Sequence, residues 1–164
     1  MPATLRAWYT PADFEALAAR QAEVGGEFAV AAMDRLAELL GTTDGTVRAR
    51  FALSRRGPGW IGLEMTLQAS LIVTCQRCLG PLELAVAEQV EFGVVVDESS
   101  AGLLPAGIEA VVPDGDRVSL LRLIEDEMII AVPLVPKHAP ESCAVDADAL
   151  PEGVFTSGGT ATTN

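Results

Sequence analysis

Residues 61–75 read IGLEMTLQASLIVTC, and no other part of the chain alternates apolar and polar side chains so cleanly. A period of two sends successive side chains to opposite faces of a β-strand. The apolar set is Ile61, Leu63, Met65, Leu67, Ala69, Leu71, Val73 and Cys75. The stretch therefore predicts one long strand with one buried face.

The segments on either side of this strand alternate in the same way. Residues 47–56 precede it across a Gly-Pro-Gly turn, and residues 82–96 follow it after Gly80-Pro81. Gly and Pro mark tight turns at both junctions. Three strands joined by short turns predict an antiparallel meander that buries one face.

Helices are predicted at both ends of this sheet. Thr10 is a candidate N-cap for a first helix over residues 13–24, and a second is predicted over residues 27–40 after Gly25-Gly26. Ser119 is positioned to cap a later helix that reaches about residue 130.

These elements predict an α+β fold. N-terminal helices and one later helix pack on an antiparallel, partly barrel-like β-sheet, with a short strand near residues 108–112. Residues 1–150 form one domain in this interpretation. Residues 151–164 are rich in Gly, Thr and Ser and are expected to form a flexible tail.

Composition narrows the classes of partner. The 164 residues carry 23 acidic and 11 basic side chains, a net charge of −12. Phosphate contacts need Lys or Arg, so the chain as a whole should repel nucleic acid and attract a basic protein. No signal peptide or membrane span is expected, and three cysteines favour the reducing cytoplasm over a disulfide framework.

No catalytic motif is present. Phosphate-binding loops, a dinucleotide fingerprint, a nucleophile elbow and a zinc-protease helix motif are all missing from the sequence. The single histidine, His138, leaves few candidates for acid–base chemistry near neutral pH. The sequence therefore indicates a protein that is not an enzyme and has no small-molecule substrate.

The pair Cys75 and Cys78 is the strongest candidate for chemistry. Two cysteines at this spacing in a turn can bind one tetrahedral metal, and His138 and Cys143 can supply the other two ligands. This set predicts a structural zinc site. The cysteines can instead be small buried apolar groups. A thiol redox pair is disfavoured, because the pair precedes a strand and not a helix N-terminus.

Three arginines offer a candidate surface for RNA. Arg48, Arg50 and Arg56 lie on the polar side of the predicted strand and can contact phosphates. The alternative is an ordinary solvated face, which the negative field of the whole chain favours.

Two blocks of sequence resemble the bacterial YceD family. Residues 73–82, VTCQRCLGPL, resemble its Cys-x-Arg-Cys signature. Residues 125–138, EDEMIIAVPLVPKH, followed by Cys143, resemble its second block. The resemblance covers about residues 45–145. The tail departs from it, because relatives usually close with an Asn-Pro-Phe segment that residues 152–164 lack.

The resemblance implies a non-enzymatic role in ribosome biogenesis. Family members support the accumulation of large-subunit (23S) ribosomal RNA, so the expected partner is a basic large-subunit protein or a precursor particle. In this interpretation the partner-binding residues are Arg77 and the acidic run Glu125, Asp126 and Glu127. The charge pattern of that run is equally consistent with an ordinary exposed helix face. The alternative function is a thiol-based redox or zinc-sensing protein that uses Cys75 and Cys78.

Overall fold

The computed structural model of the chain describes residues 3–57 and 59–144. The predicted tail, residues 151–164, and the predicted domain boundary at residue 150 lie outside the described residues. The helices and strands of the described chain are, in order, β1 (Ala3–Thr4), α1 (Pro11–Ala19), β2 (Glu23–Ala29), α2 (Asp34–Ala37), β3 (Thr46–Gly57), β4 (Trp60–Thr74), β5 (Pro81–Val94), β6 (Glu109–Val111) and α3 (Leu120–Ala131).

One six-stranded sheet follows the chain order from β1 to β6 and curls into a half-barrel. The pairs from β2 to β5 are antiparallel, so the predicted meander is confirmed and gains a fourth strand. The outer pairs, β1 with β2 and β5 with β6, are parallel. The sheet is therefore mixed, and the prediction of a purely antiparallel sheet was wrong at its two edges.

The buried face of β4 is the one that its alternation predicts. Ala69 is half-buried, and the other seven apolar residues of that set are buried. Phe14 and Leu17 of α1 and Ile124 and Met128 of α3 belong to the same core as β4. These helical side chains therefore share one core with the apolar face of β4, whereas Thr66 and Gln68 on its other face are exposed.

The prediction of a second helix over residues 27–40 was wrong. Residues 23–29 form β2 instead, and only Asp34–Ala37 is α-helical. Val24 is buried and Phe28 is partly buried, whereas Glu23 and Glu27 are exposed. This alternation is the period of a strand, and the Ala-rich composition obscured it in the sequence. Residues 23–29 form a strand because they pair with β3, and this pairing outweighs the helix propensity of the local sequence.

The other two helices are close to their predictions. Thr10 caps α1 as predicted, but the helix ends at Ala19 because Gln21 turns in the left-handed region at φ 50°. Ser119 caps α3 by accepting a hydrogen bond from the Arg122 N–H at 3.2 Å. None of the helices in residues 3–57 and 59–144 has the length and hydropathy needed to cross a membrane.

Gly25 lies where the backbone of β3 leaves no room for a side chain. A Cβ atom at Gly25 would sit 2.6 Å from the Ala49 carbonyl oxygen, whereas one at Gly26 would meet only the Phe28 ring, at 3.4 Å. We expect Gly25→Ala to lower the free energy of unfolding by about 1–3 kcal/mol through overpacking.

Gly26→Ala is the matched control, and we expect it to be neutral or to stabilise the protein by up to about 1 kcal/mol. Urea unfolding would measure the free energy of unfolding of both variants, provided that their m-values equal that of the wild type. Equal effects of the two substitutions would contradict the proposed role of Gly25.

Candidate metal centre and its surroundings

A tight turn between β4 and β5 presents the cysteine pair. Cys75 directly follows β4, and its N–H donates to the Gly80 carbonyl at 2.9 Å. The Leu79 N–H donates back to the Cys75 carbonyl at 2.9 Å. Leu79 takes a left-handed φ of 58°, which reverses the chain within five residues. We call residues 75–80 the knuckle.

The segment that leaves α3 is joined to the knuckle by hydrogen bonds that main-chain N–H groups donate. The Gln76 N–H donates to the Pro136 carbonyl at 2.8 Å, and the His138 N–H donates to the Cys75 sulfur at 3.4 Å. A single 3₁₀ turn, Pro140–Ser142, then returns the chain to Cys143. Two segments about 60 residues apart in sequence therefore meet at one place.

The four residues predicted as a metal site form one cluster. The sulfurs of Cys75, Cys78 and Cys143 and a ring nitrogen of His138 all lie within 4.8 Å of one another. A tetrahedral zinc ion, with Zn–S near 2.3 Å and Zn–N near 2.0 Å, separates its ligand atoms by roughly 3.6–3.8 Å. The cluster is thus compatible with one tetrahedral ion bound by protein ligands alone.

The orientation of the His138 ring is set by a backbone carbonyl. Its Nε2 lies 2.9 Å from the Pro81 oxygen, which can only accept, so Nε2 carries the hydrogen. In the neutral ring Nδ1 then has a lone pair, and it points at the Cys78 sulfur 3.3 Å away. A second hydrogen bond of this kind typically orients a metal-binding histidine.

The backbone around the cluster favours thiolates. Burial raises the pKa of the Cys75 thiol, but N–H donors from Cys78, His138 and Arg77 outweigh it and lower the pKa to about 5. The Gly80 N–H likewise lowers the pKa of Cys78. Because the thiolate is the metal-binding form, these donors prepare both sulfurs for a cation.

Arg77 contributes to the cluster through its backbone. Its N–H is one of the donors to Cys75. Its side chain is half-buried, and the buried Nη1 has no hydrogen-bond partner within residues 3–57 and 59–144. The role assigned to Arg77 in partner binding stays a prediction.

The acidic triplet at the middle of α3 divides into two parts. The carboxylates of Glu125 and Asp126 both bind the Arg35 guanidinium, at 2.7 and 2.6 Å. Glu125 also accepts the N–H groups of Arg35 and Leu36, at 2.8 and 3.3 Å, in the first turn of α2. Glu127 makes none of these contacts, so it is the member of the triplet that remains for a partner. Partner binding by the triplet stays a prediction.

The three arginines proposed for RNA binding lie on the polar face of the sheet, and each has a carboxylate beside it. The pairs are Arg48 with Glu27, Arg50 with Glu23 (4.0 Å) and Arg56 with Glu91 (3.2 Å). These exposed pairs reduce the positive potential of the face. Binding of ribosomal RNA there stays a prediction.

Sequence reasoning missed the residues that support these sites. The Pro81 carbonyl lies 57 residues before His138, and Arg35 lies 90 residues before Glu125. No spacing rule connects residues so far apart. The N–H donors inside the knuckle are different, because the Cys-x-x-Cys spacing that places both sulfurs also places the intervening amides.

Comparisons with known proteins agree with the two-block resemblance. The family model described as Large ribosomal RNA subunit accumulation protein YceD matches residues 63–156, more than half of the chain. A curated protein of that name from Haemophilus influenzae is 26% identical over 139 residues, covering 84% of this chain and 80% of the relative. No solved structure matches the chain.

The contrast between Glu125 and Glu127 can be tested by unfolding. Burial raises the pKa of Glu125, but hydrogen bonds from Arg35 and Leu36 outweigh it, so the folded pKa lies below the ordinary 4.5. Its contribution to stability is therefore present above pH 4.5 and is lost as the pH falls through the lower folded pKa. We expect Glu125→Gln to cost about 1–3 kcal/mol at pH 7.

Glu127→Gln is the matched control in the same helix. Burial and the carboxylates of Glu109, Asp126 and Glu88 raise the pKa of Glu127, so neutralising it should leave stability unchanged or higher at pH 7. Urea unfolding at pH 7 and pH 3 would measure both. A loss for Glu127→Gln as large as that for Glu125→Gln would contradict this account.

Proposed function

Since the chain belongs to the YceD family of large ribosomal RNA subunit accumulation proteins, we propose that it supports accumulation of 23S ribosomal RNA during assembly of the large ribosomal subunit. The observation that carries this proposal is the family match over residues 63–156, which contains both halves of the four-residue cluster. The relative from Haemophilus influenzae bears the same functional name. We place this action in the cytoplasm.

We propose that the role is non-enzymatic. A metal held by all of Cys75, Cys78, His138 and Cys143 has no open position for water or substrate, as in structural and unlike catalytic zinc sites. His138 has both ring nitrogens engaged, with Pro81 and Cys78, so it does not serve as a free acid or base.

The metal that fits the cluster best is zinc. Three thiolates and one neutral imidazole are the ligand set of many structural zinc sites, and Ca²⁺ and Mg²⁺ prefer oxygen ligands. The ion would join the knuckle to the segment after α3. The redox alternative is not favoured, because a disulfide between Cys75 and Cys78 would use only two of the four ligand atoms that converge there. Zinc sensing is not favoured, because the matching family is described by ribosomal RNA accumulation.

The partner we propose is a basic ribosomal protein or a precursor particle that contains one. The net charge of −12 attracts a basic surface at long range. Direct contact with RNA has less support, because the ion pairs on the sheet already oppose the charges of Arg48, Arg50 and Arg56.

The proposed function predicts an rRNA phenotype. In a bacterial strain whose own family member is deleted, the ratio of 23S to 16S rRNA should fall, and expression of this chain should restore it. Northern blots or sequencing of total RNA would measure the ratio. An unchanged ratio in the deletion strain would refute the proposal.

Zinc binding predicts a stoichiometric metal and a stabilised fold. The purified protein should contain one zinc per chain by elemental analysis, and Cys75→Ser and Cys143→Ser should lose it. A ligand present at a thousand times its Kd stabilises by about 4 kcal/mol, so each variant should melt roughly 10 °C lower.

Gln76→Ser is the control, because it changes the same turn and retains all four ligands. It should keep both the zinc and the melting temperature. Wild-type protein that stays free of metal in the presence of excess zinc would exclude the zinc site.

A further inference from the structure

Exposed aliphatic side chains cluster at the end of α3 and in the segment that follows it. Ile130 is 74% exposed, Leu134 is 101% exposed and Val135 is 57% exposed. Carboxylates lie beside Ile130, because Asp126 and Glu127 precede it by four and three residues on the same face of the helix. We call this surface the α3 edge.

The α3 edge includes two further carboxylates, Glu88 and Glu109, which with Asp126 repel the charge of Glu127. Besides burial, the nearby charges of Glu109, Asp126 and Glu88 raise the pKa of Glu127. Asp126 is paired with Arg35, but Glu88, Glu109 and Glu127 have no ion-pair partner in the part of the chain that the structure describes. An incoming cation would relieve this repulsion.

The aliphatic part of the edge is held in place by the knuckle. The Gln76 bond to Pro136 and the His138 bond to Cys75 anchor the chain directly after Val135. A surface whose backbone is already ordered loses less conformational entropy when a partner binds. Exposed apolar side chains on an anchored segment are therefore suited to recognition.

We propose that the α3 edge docks a basic protein segment that carries aliphatic side chains, with its Lys or Arg groups at Glu88, Glu109 and Glu127 and its aliphatic groups at Ile130 and Leu134. Charge selects this occupant, since RNA phosphates and a second copy of this chain would both meet like charge. The inference rests on the proposed function, for which it specifies the partner-binding surface.

A labelled peptide tests the surface directly. Fluorescence anisotropy would follow a fluorescein-labelled 12-residue Lys/Leu peptide, an all-Lys peptide of equal length and a 12-nucleotide poly(U) RNA. We expect the Lys/Leu peptide to bind best, and Ile130→Ser with Leu134→Ser to weaken it about tenfold. Glu109→Gln with Glu127→Gln should weaken it and flatten its dependence on salt.

Matched controls come from other exposed residues of the same types. Val96→Ser with Leu103→Ser removes aliphatic groups of similar exposure, 66% and 67%, and Glu38→Gln with Glu98→Gln removes exposed charge elsewhere. Both controls should leave the peptide affinity unchanged.

Several results would overturn the proposal. The first is an equal loss of peptide affinity in the edge and control variants. The second is tighter binding of poly(U) than of the Lys/Leu peptide. The third is a dimer, detected by light scattering, that dissociates when Ile130 and Leu134 are substituted. The proposed function is judged separately by the 23S to 16S ratio in the deletion strain. If this chain restores the ratio but the edge variants bind the peptide normally, only the docking surface fails.

Discussion

Burial of one face of β4 is the constraint on which the remaining elements depend. Its fifteen residues, Trp60–Thr74, pair with β3 on one side and β5 on the other. Because its side chains alternate, a slip in register by one residue would turn the apolar set away from the core. Cys75 comes directly after the last residue of β4 and continues its alternation on the buried side, so its side chain is 0% exposed.

The knuckle, at the end of this strand, builds the candidate metal centre. Its backbone amides lower the pKa values of Cys75 and Cys78, and its Gln76 N–H and Cys75 sulfur hold the segment that carries His138. A metal bound there would link two segments about 60 residues apart, and closing a loop of that length restricts the unfolded chain considerably. The position of the aliphatic side chains after α3 then depends on the same cluster.

Most of the described arginines are paired with carboxylates of the same chain, whereas many of the described acidic groups are not paired. Arg35, Arg48 and Arg56 each lie beside carboxylates of the same chain, so much of the positive charge is used inside the molecule. The excess of acidic groups remains on the surface, and Glu127 has acidic neighbours on β5 and β6. This distribution is the reason for proposing a basic protein segment, and not RNA, as the partner.

The sequence by itself determined the elements whose signal is local: the period of two in β4, the caps Thr10 and Ser119, and the Cys-x-x-Cys spacing of the knuckle. It also singled out His138 and Cys143 as candidate ligands, because the chain has no other histidine and, besides the pair Cys75 and Cys78, no other cysteine. Only the tertiary structure decided that residues 23–29 form a strand, that the outer pairs are parallel and that Glu125 binds Arg35. The physical reason is that strand pairing and long-range ion pairs depend on partners distant in sequence, and no local pattern records them.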